Sequence, residues 1–258
     1  MLISLSMASL ALVSGSTVGF TLGLVGGGGS ILAVPLLIYV VGVSDPHMAI
    51  GASAVAVTVN AAMNLAMHAK LGAVKWRCAL VFAIIGAGGA LAGSSLGKLV
   101  DGQRLLALFA VLMIAVSALM LWKREAQEQP EVTLSAQNLP RLASLGLGTG
   151  LLSGFFGIGG GFLIVPGLML ATGMPIKNAI GSSLLAVTAF GLATSINYAL
   201  SGLVDWPIAG LFIVGGFFGG LIGAKSATAM AEQKGMLNRL FAAIIAVVAA
   251  YVLWRSLA

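Results

Sequence analysis

Two glycine runs constrain this chain more than anything else in it. Gly26-Gly27-Gly28-Gly29-Ser30 is followed by Pro35, and Gly157-Ile158-Gly159-Gly160-Gly161 is followed by Pro166. Each lies in a stretch without charge. Met1 to Ser44 holds no Asp, Glu, Lys or Arg, and neither does Leu142 to Ile176. In water such a run would be a loop. In an apolar segment of membrane length it interrupts a helix where the freed N–H and C=O groups cannot reach solvent. Backbone of that kind is tolerated at membrane depth only where protein or a water-filled cavity covers it.

Composition supports the membrane reading. Hydrophobic residues make up 59% of the chain and charged residues 8%, with a mean hydropathy of +1.09; soluble domains carry about 25% charge. The acidic residues Asp45, Asp101, Glu125, Glu128, Glu131, Asp205 and Glu232 all fall between apolar stretches. The 36 glycines fit close helix contact, where small residues let backbones approach in lipid. The formal charge of +6 is read as loop charge facing the cytoplasm, not as nucleic-acid affinity. Cys78, the single cysteine, has no partner for an intrachain disulfide or a metal site and is read as helix packing. The apolar start lacks the basic n-region of a signal peptide and is assigned to the fold.

The chain reads as two copies. Gly23-Leu24-Val25-Gly26 pairs with Gly154-Phe155-Phe156-Gly157, and Ala49-Ile50-Gly51-Ala52-Ser53 with Ala179-Ile180-Gly181-Ser182-Ser183. Gly72, Val74 and Trp76 match Gly202, Val204 and Trp206, and Trp122-Lys123 matches Trp254-Arg255. The expected fold is all-α and polytopic: residues 1–125 form the first repeat, 126–140 a polar linker and 141–258 the second repeat. A bilayer needs about 20 apolar residues per span. The first copy offers Met1–Val25, a short Ile31–Val41, Met48–Ala69, Cys78–Gly97 and Leu105–Trp122. The second offers Leu142–Phe156, a short Phe162–Leu170, Ile180–Leu200, Ile208–Ala224 and Leu240–Trp254. In each copy the first two segments are short or broken at the glycine run. If those two form a hairpin, re-entrant or spanning twice, three crossings follow and the copies are inverted. That topology gathers Lys70, Lys75, Arg77, Lys123, Arg124, Arg141, Lys177, Lys225, Lys234 and Arg239 on one face. It leaves Lys98, Arg104 and Arg255 on the other. The bias puts the larger group in the cytoplasm and both termini outside it, in a multi-pass protein of the cell (inner) membrane.

Inverted repeats with broken helices are a layout of secondary transporters, with the site near the midplane. Gly28, Gly29 and Ser30, and Gly159, Gly160 and Gly161, each precede a short apolar helix. A helix start carries unpaired N–H groups and the positive end of a dipole, which suits an anion. The other reading is that these glycines only permit tight helix crossing. No Lys-Ser or Lys-Thr pair follows either run, so a phosphate-binding P-loop is not indicated. On the third segments, Ser53, Thr58, Asn60, Asn64, Ser182, Ser183, Thr188, Thr194 and Asn197 are polar side chains at membrane depth. Of these, Ser53, Asn60, Asn64, Ser183, Thr188 and Asn197 are the candidate substrate ligands; interhelical hydrogen bonding is the alternative for the Ser and Thr hydroxyls. Asn60, Asn64 and His68 share one helix face. His68 is the candidate proton carrier, because no carboxylate lies in a span; an interfacial position is its alternative. No cofactor and no metal site are expected, and nucleic acid is excluded as a partner. Lipid and a small anion are the expected partners, and a homo-oligomer is compatible.

The pattern Gly-x-x-x-Gly-x-x-Gly-x-Gly-Gly-Gly-x-x-x-x-Pro, at Gly150 to Pro166 with a close variant at Gly19 to Pro35, resembles the TauE/SafE family of sulfite exporters. The Ala-Ile-Gly-x-Ser segments and Gly-x-Val-x-Trp turns are also similar to that family, and the resemblance covers nearly the whole chain. It implies export of small sulfur-containing anions: sulfite, sulfoacetate or other organosulfonates. An anion channel, or a permease for another small organic anion, is the alternative. A membrane-embedded enzyme would need a nucleophile or metal cluster that the spans do not offer.

Overall fold

A computed structural model describes residues 4–122, 134–135, 137–158, 161–229 and 245–255. The described residues form helices and turns, with no strand among them. In chain order the helices are α1 (Leu5–Val25), α2 (Ala33–Leu36), α3 (Pro46–Lys70), α4 (Trp76–Gly97) and α5 (Gly102–Trp122). Then come α6 (Leu139–Phe156), α7 (Gly161–Thr172), α8 (Ile176–Leu200), α9 (Trp206–Ala229) and α10 (Ile245–Arg255). Among the described residues, five stretches are long and apolar enough to cross a membrane: Leu5–Val41, Pro46–Lys70, Trp76–Gly97, Ile176–Leu200 and Trp206–Ser226.

Most helix starts lie a few residues before the apolar stretches do. At α3, α5 and α9 the reason is capping. Asp45 accepts hydrogen bonds from the His47 and Met48 N–H groups, with Pro46 in the first turn of α3. Asp101 accepts from Gln103 and Arg104 ahead of α5, and Asp205 from Ile208 at the start of α9. These carboxylates belong between spans because they satisfy first-turn N–H groups, each worth about 1 kcal/mol. Lys177 sits in the first turn of α8, not in the loop before it, although α8 has no side-chain cap. At the far end of residues 126–140, Leu139 and Pro140 belong to α6. Residues 126–133 and 136 of it lie outside the described part, as do 123–125 and 230–244.

The two-copy pattern holds in backbone conformation. The six positive-φ glycines among the described residues are repeat mates: Gly26 with Gly157, Gly42 with Gly173 and Gly72 with Gly202. Each ends a helix or short arm at the equivalent place. Their left-handed φ is one that a side chain would resist.

Packing is reciprocal between the copies. Helix α1 lies along α9, and α6 lies along α4. Gly15 meets the Phe212 backbone, Gly19 that of Gly216 and Gly23 that of Gly220, so α1 and α9 run parallel. In the other seam Gly146, Gly150 and Gly154 meet Phe82, Gly86 and Ala90, the repeat mates of the same residues. A Cβ at Gly19 or Gly150 would overlap the facing carbonyl, which is why the seams are glycine. Helices α3 and α8 pack together at the centre. Gly51 near the start of α3 meets Leu203 just past α8, and Thr58 meets Gly191. Ala73 just past α3 accepts a hydrogen bond from Asn178 near the start of α8. These two equivalent helices therefore run antiparallel.

Candidate functional site

The first glycine run does not present bare amides. After α1 the chain winds through a 3₁₀ turn, Gly26–Leu32, then α2, then a wide π turn, Leu37–Val41. A 3₁₀ turn bonds its N–H groups to carbonyls three residues back, and the N–H of Gly27 is taken by Ser183 Oγ at 3.2 Å. This corrects the expectation of uncapped N–H groups at Gly28 and Gly29. Buried amides in an apolar setting find partners because leaving one unmet costs about 1–3 kcal/mol. Residues Gly26 to Ser30 are all buried, and Ser30 Oγ donates to Gly27 O at 2.9 Å. Gly29 backs onto Thr21 and Leu22 of α1, so the turn doubles back on its own helix. At the second break α6 stops at Gly157 and α7 begins at Gly161, with Pro166 inside it. Gly159 and Gly160 lie outside the described residues.

Each break is seated on the other copy. Ser183 of α8 holds the first turn, and Ile180 of the same helix abuts Gly26. Ser53 of α3 donates to Gly157 O at 3.3 Å, and Ile50 abuts Gly157. Ser183 Oγ donates to Ile180 O one turn back, and the single Ser53 O–H is shared between Ile50 O at 2.8 Å and Gly157 O. Ser53 and Ser183 each lie seven residues into their helices, about 10 Å from the start at 1.5 Å per residue. Because α3 and α8 are antiparallel, the two seats sit toward opposite ends of the pair. From there the first 3₁₀ turn packs against α7.

The remaining candidates separate. Asn60 and Asn64 are buried in the seam of α1, α3 and α9, against Gly216, Gly220 and Gly23. Asn64 Nδ2 donates to Asn60 O at 2.8 Å. Asn64 Oδ1 and both amide atoms of Asn60 have no hydrogen-bond partner. His68 Nε2 donates to Gly23 O at 3.2 Å, one turn ahead of the first break. Thr188 is half-buried and bonds back to Leu184 O. Asn197 is not brought to either break. It stands at the end of α8, where its Nδ2 donates to Ser94 and Ser95 Oγ of α4 at 2.6 and 3.0 Å. Its Oδ1 accepts from Lys98 Nζ at 2.8 Å.

That last cluster escaped sequence reasoning. Lys98 Nζ also donates to Ser201 Oγ at 2.7 Å and lies over the Tyr198 ring, 5.9 Å from its centroid. It clasps the end of α4 to the end of α8. The only signal for it was a lysine among the few basic residues assigned to the minority face. The glycine partners of Asn60 and Asn64 were likewise overlooked, although Gly216 and Gly220 keep the four-residue spacing of a helix seam.

Comparison with known proteins adds the family. The family model described as "Sulfite exporter TauE/SafE" matches residues 11–252. A "Probable membrane transporter protein" of Xylella fastidiosa strain Temecula1 is 57% identical over 244 residues, 94% of each chain. The "Probable membrane transporter protein YunE" of Bacillus subtilis is 29% identical over 239 residues, 83% of this chain and 85% of its own. No solved structure matches. Broken spans joined by repeat-mated glycines and a family match over nearly the whole length agree: the chain belongs to the TauE/SafE family of membrane transporters.

Proposed function

We propose that this transporter exports small sulfur-containing anions, such as sulfite, sulfoacetate or other organosulfonates, through a site between the two glycine breaks. The reading takes the copies as inverted repeats. The antiparallel α3–α8 pair and the reciprocal α1–α9 and α6–α4 seams support it, since a two-fold lying in the membrane plane relates elements in this way. The observation that carries it is the cross-seating of the breaks: Ser183 holds Gly27 and Ser53 holds Gly157. Movement of one copy against the other therefore acts on both breaks together. A 3₁₀ turn has weaker hydrogen-bond geometry than an α-helix and often marks a hinge. Opening it frees the N–H groups of Gly28, Gly29 and Ser30 for an anion. Glycine lets the anion approach, and no buried lysine is needed to neutralise it. Gly159, Gly160 and Gly161 play the same part in the second copy, with Ser53 and Ser183 at the breaks and Asn60, Asn64 and Thr188 as further polar side chains of the path; Asn197, held by Lys98 at the end of α8, drops out of it.

The cell's negative interior drives an anion outward by about 2.3 kcal/mol per charge per 100 mV. Multi-pass insertion in the inner membrane with both termini outside the cytoplasm fits that direction. The test is binding of sulfite, sulfate, thiosulfate, sulfoacetate, taurine and isethionate to the purified protein. Ser53→Ala and Ser183→Ala each remove a bond worth about 0.5–1.5 kcal/mol, so affinity for the preferred anion falls about 2- to 10-fold. Unaltered affinity in both variants would place the site elsewhere. Counterflow in proteoliposomes separates a carrier, which shows it, from a channel, which does not.

A further inference from the structure

Helix α8 is bonded to the first copy near its start, at the first break and at its end. Near the start, Asn178 Nδ2 donates to Ala73 O at 3.1 Å, and Ser182 Oγ accepts from the Lys75 N–H at 2.9 Å. At the break, Ser183 holds Gly27. At the end, Lys98 Nζ donates to Asn197 Oδ1, Asn197 O and Ser201 Oγ at 2.8, 3.2 and 2.7 Å. Asn197 Nδ2 in turn donates to Ser94 and Ser95 Oγ. About 35 Å of helix, at 1.5 Å per residue, separates Asn178 from Ser201. The two end clasps therefore lie toward opposite faces of the span, and both are made in this structure.

The contact at the break has a mate, Ser53 with Gly157. The end clasps have none. In the first copy Met48 and Ala52 stand at the places of Asn178 and Ser182, and Met67 and Leu71 at those of Asn197 and Ser201. On α9, Ala224 stands at the place of Ser94. None of these apolar side chains can make the bonds of its mate. The clasps also differ from each other. The one near the start of α8 uses amide and hydroxyl groups. The one at its end uses a lysine ammonium whose three partners are neutral oxygens.

Inverted repeats open to one side or the other by exchanging the conformations of the two copies. A mated contact serves both forms alike and favours neither. An unmated contact, kept in one form and broken in the other, shifts the balance by its own free energy. We propose that the two unmated clasps are the gates of this transporter. Lys98 with Asn197 and Ser201 closes the outer end, and Asn178 and Ser182 with the turn after α3 close the inner end. Each opens without the other. Helix α8, which carries half of both, parts from α4 in one case and from the turn after α3 in the other. The inference rests on the inverted-repeat reading for which end is outer, and not on the identity of the anion.

Opening is measured without any anion. In a Cys78→Ser background, Ser183→Cys reports from the first break, where Ser183 is 0% exposed. A small charged thiosulfonate reagent is applied to intact cells, from the outer side, and to inside-out vesicles, from the inner side. A lost neutral hydrogen bond changes an equilibrium about 2- to 10-fold. Lys98→Met should therefore raise the outer rate at least about threefold and leave the inner rate unchanged. Asn178→Ala combined with Ser182→Ala should raise the inner rate by a similar factor and leave the outer rate unchanged. Ser53→Cys, equally buried at the second break, is the parallel reporter where Ser183→Cys does not fold. Fraying confined to the helix ends would leave the rates at both breaks unchanged. That result, or a variant that raises both rates equally, overturns the proposal. Lys98→Met acting from the inner side alone would support the gates and overturn the orientation taken from the inverted-repeat reading.

Discussion

Gly150 and Gly88 are both helical glycines, and they differ in what stands before them. A Cβ on Gly150 would overlap the Gly86 carbonyl, and one on its mate Gly19 the carbonyl of Gly216, whereas Gly88, Gly148 and Gly210 face open space. Backbone cannot step aside as a side chain can. Gly19→Ala and Gly150→Ala should therefore each cost about 1–3 kcal/mol, the usual scale of overpacking. Gly88→Ala and Gly148→Ala should be neutral or gain up to about 1 kcal/mol from reduced chain entropy. Thermal unfolding in detergent, followed by tryptophan fluorescence, ranks the four variants; equal melting temperatures would mean the seams are looser than described. At this scale the sequence was only partly legible. It showed which residues were glycine and polar. It did not show that Ser183 would meet Gly27, or that Asn197 would leave the breaks for Lys98, because those contacts follow from helix pairing across 156 and 99 positions.

At the scale of elements, apolar length located every described span, and capping chemistry explains where it fell short. Apolar length alone starts α3 at Met48 and α4 at Cys78, whereas the helices begin at Pro46 and Trp76. First turns are polar because they carry caps and topology charges, so an apolar criterion skips them. The carboxylate caps give a prediction of their own. Asp205→Ala should lower stability by about 1 kcal/mol, and Asp205→Asn should restore most of it, since Asn also caps well; a helix-start carboxylate acting only through charge would not be rescued. The clasp at the other end of α8 is separable. Lys98→Met removes bonds to Asn197 and Ser201 while leaving the Asn197–Ser94 bond in place. It should loosen the junction of α4 with α8, seen as faster amide exchange at the end of α8 and unchanged exchange at the end of α3. The 3₁₀ winding of the first glycine run was not legible. Consecutive glycines admit many backbone paths, and the one adopted is selected by Thr21, Leu22 and Ser183.

The whole molecule is two copies whose outer helices exchange partners while their central helices cross the interface directly. Membrane insertion gives helices little hydrophobic reason to associate. Close glycine contact in two mated seams and the α3–α8 pair supply the association instead. The central claim, that the broken spans are mirrored across the bilayer, is tested most directly at the turns after α3 and α8. Leu71 and Ser201 are repeat mates, and both are exposed. In a Cys78→Ser background, Leu71→Cys and Ser201→Cys are labelled with a membrane-impermeant maleimide in intact cells and after permeabilisation. Mirrored copies predict that the Ser201→Cys variant labels in intact cells and that the Leu71→Cys variant labels only after permeabilisation. Labelling of both from the same side would contradict the account.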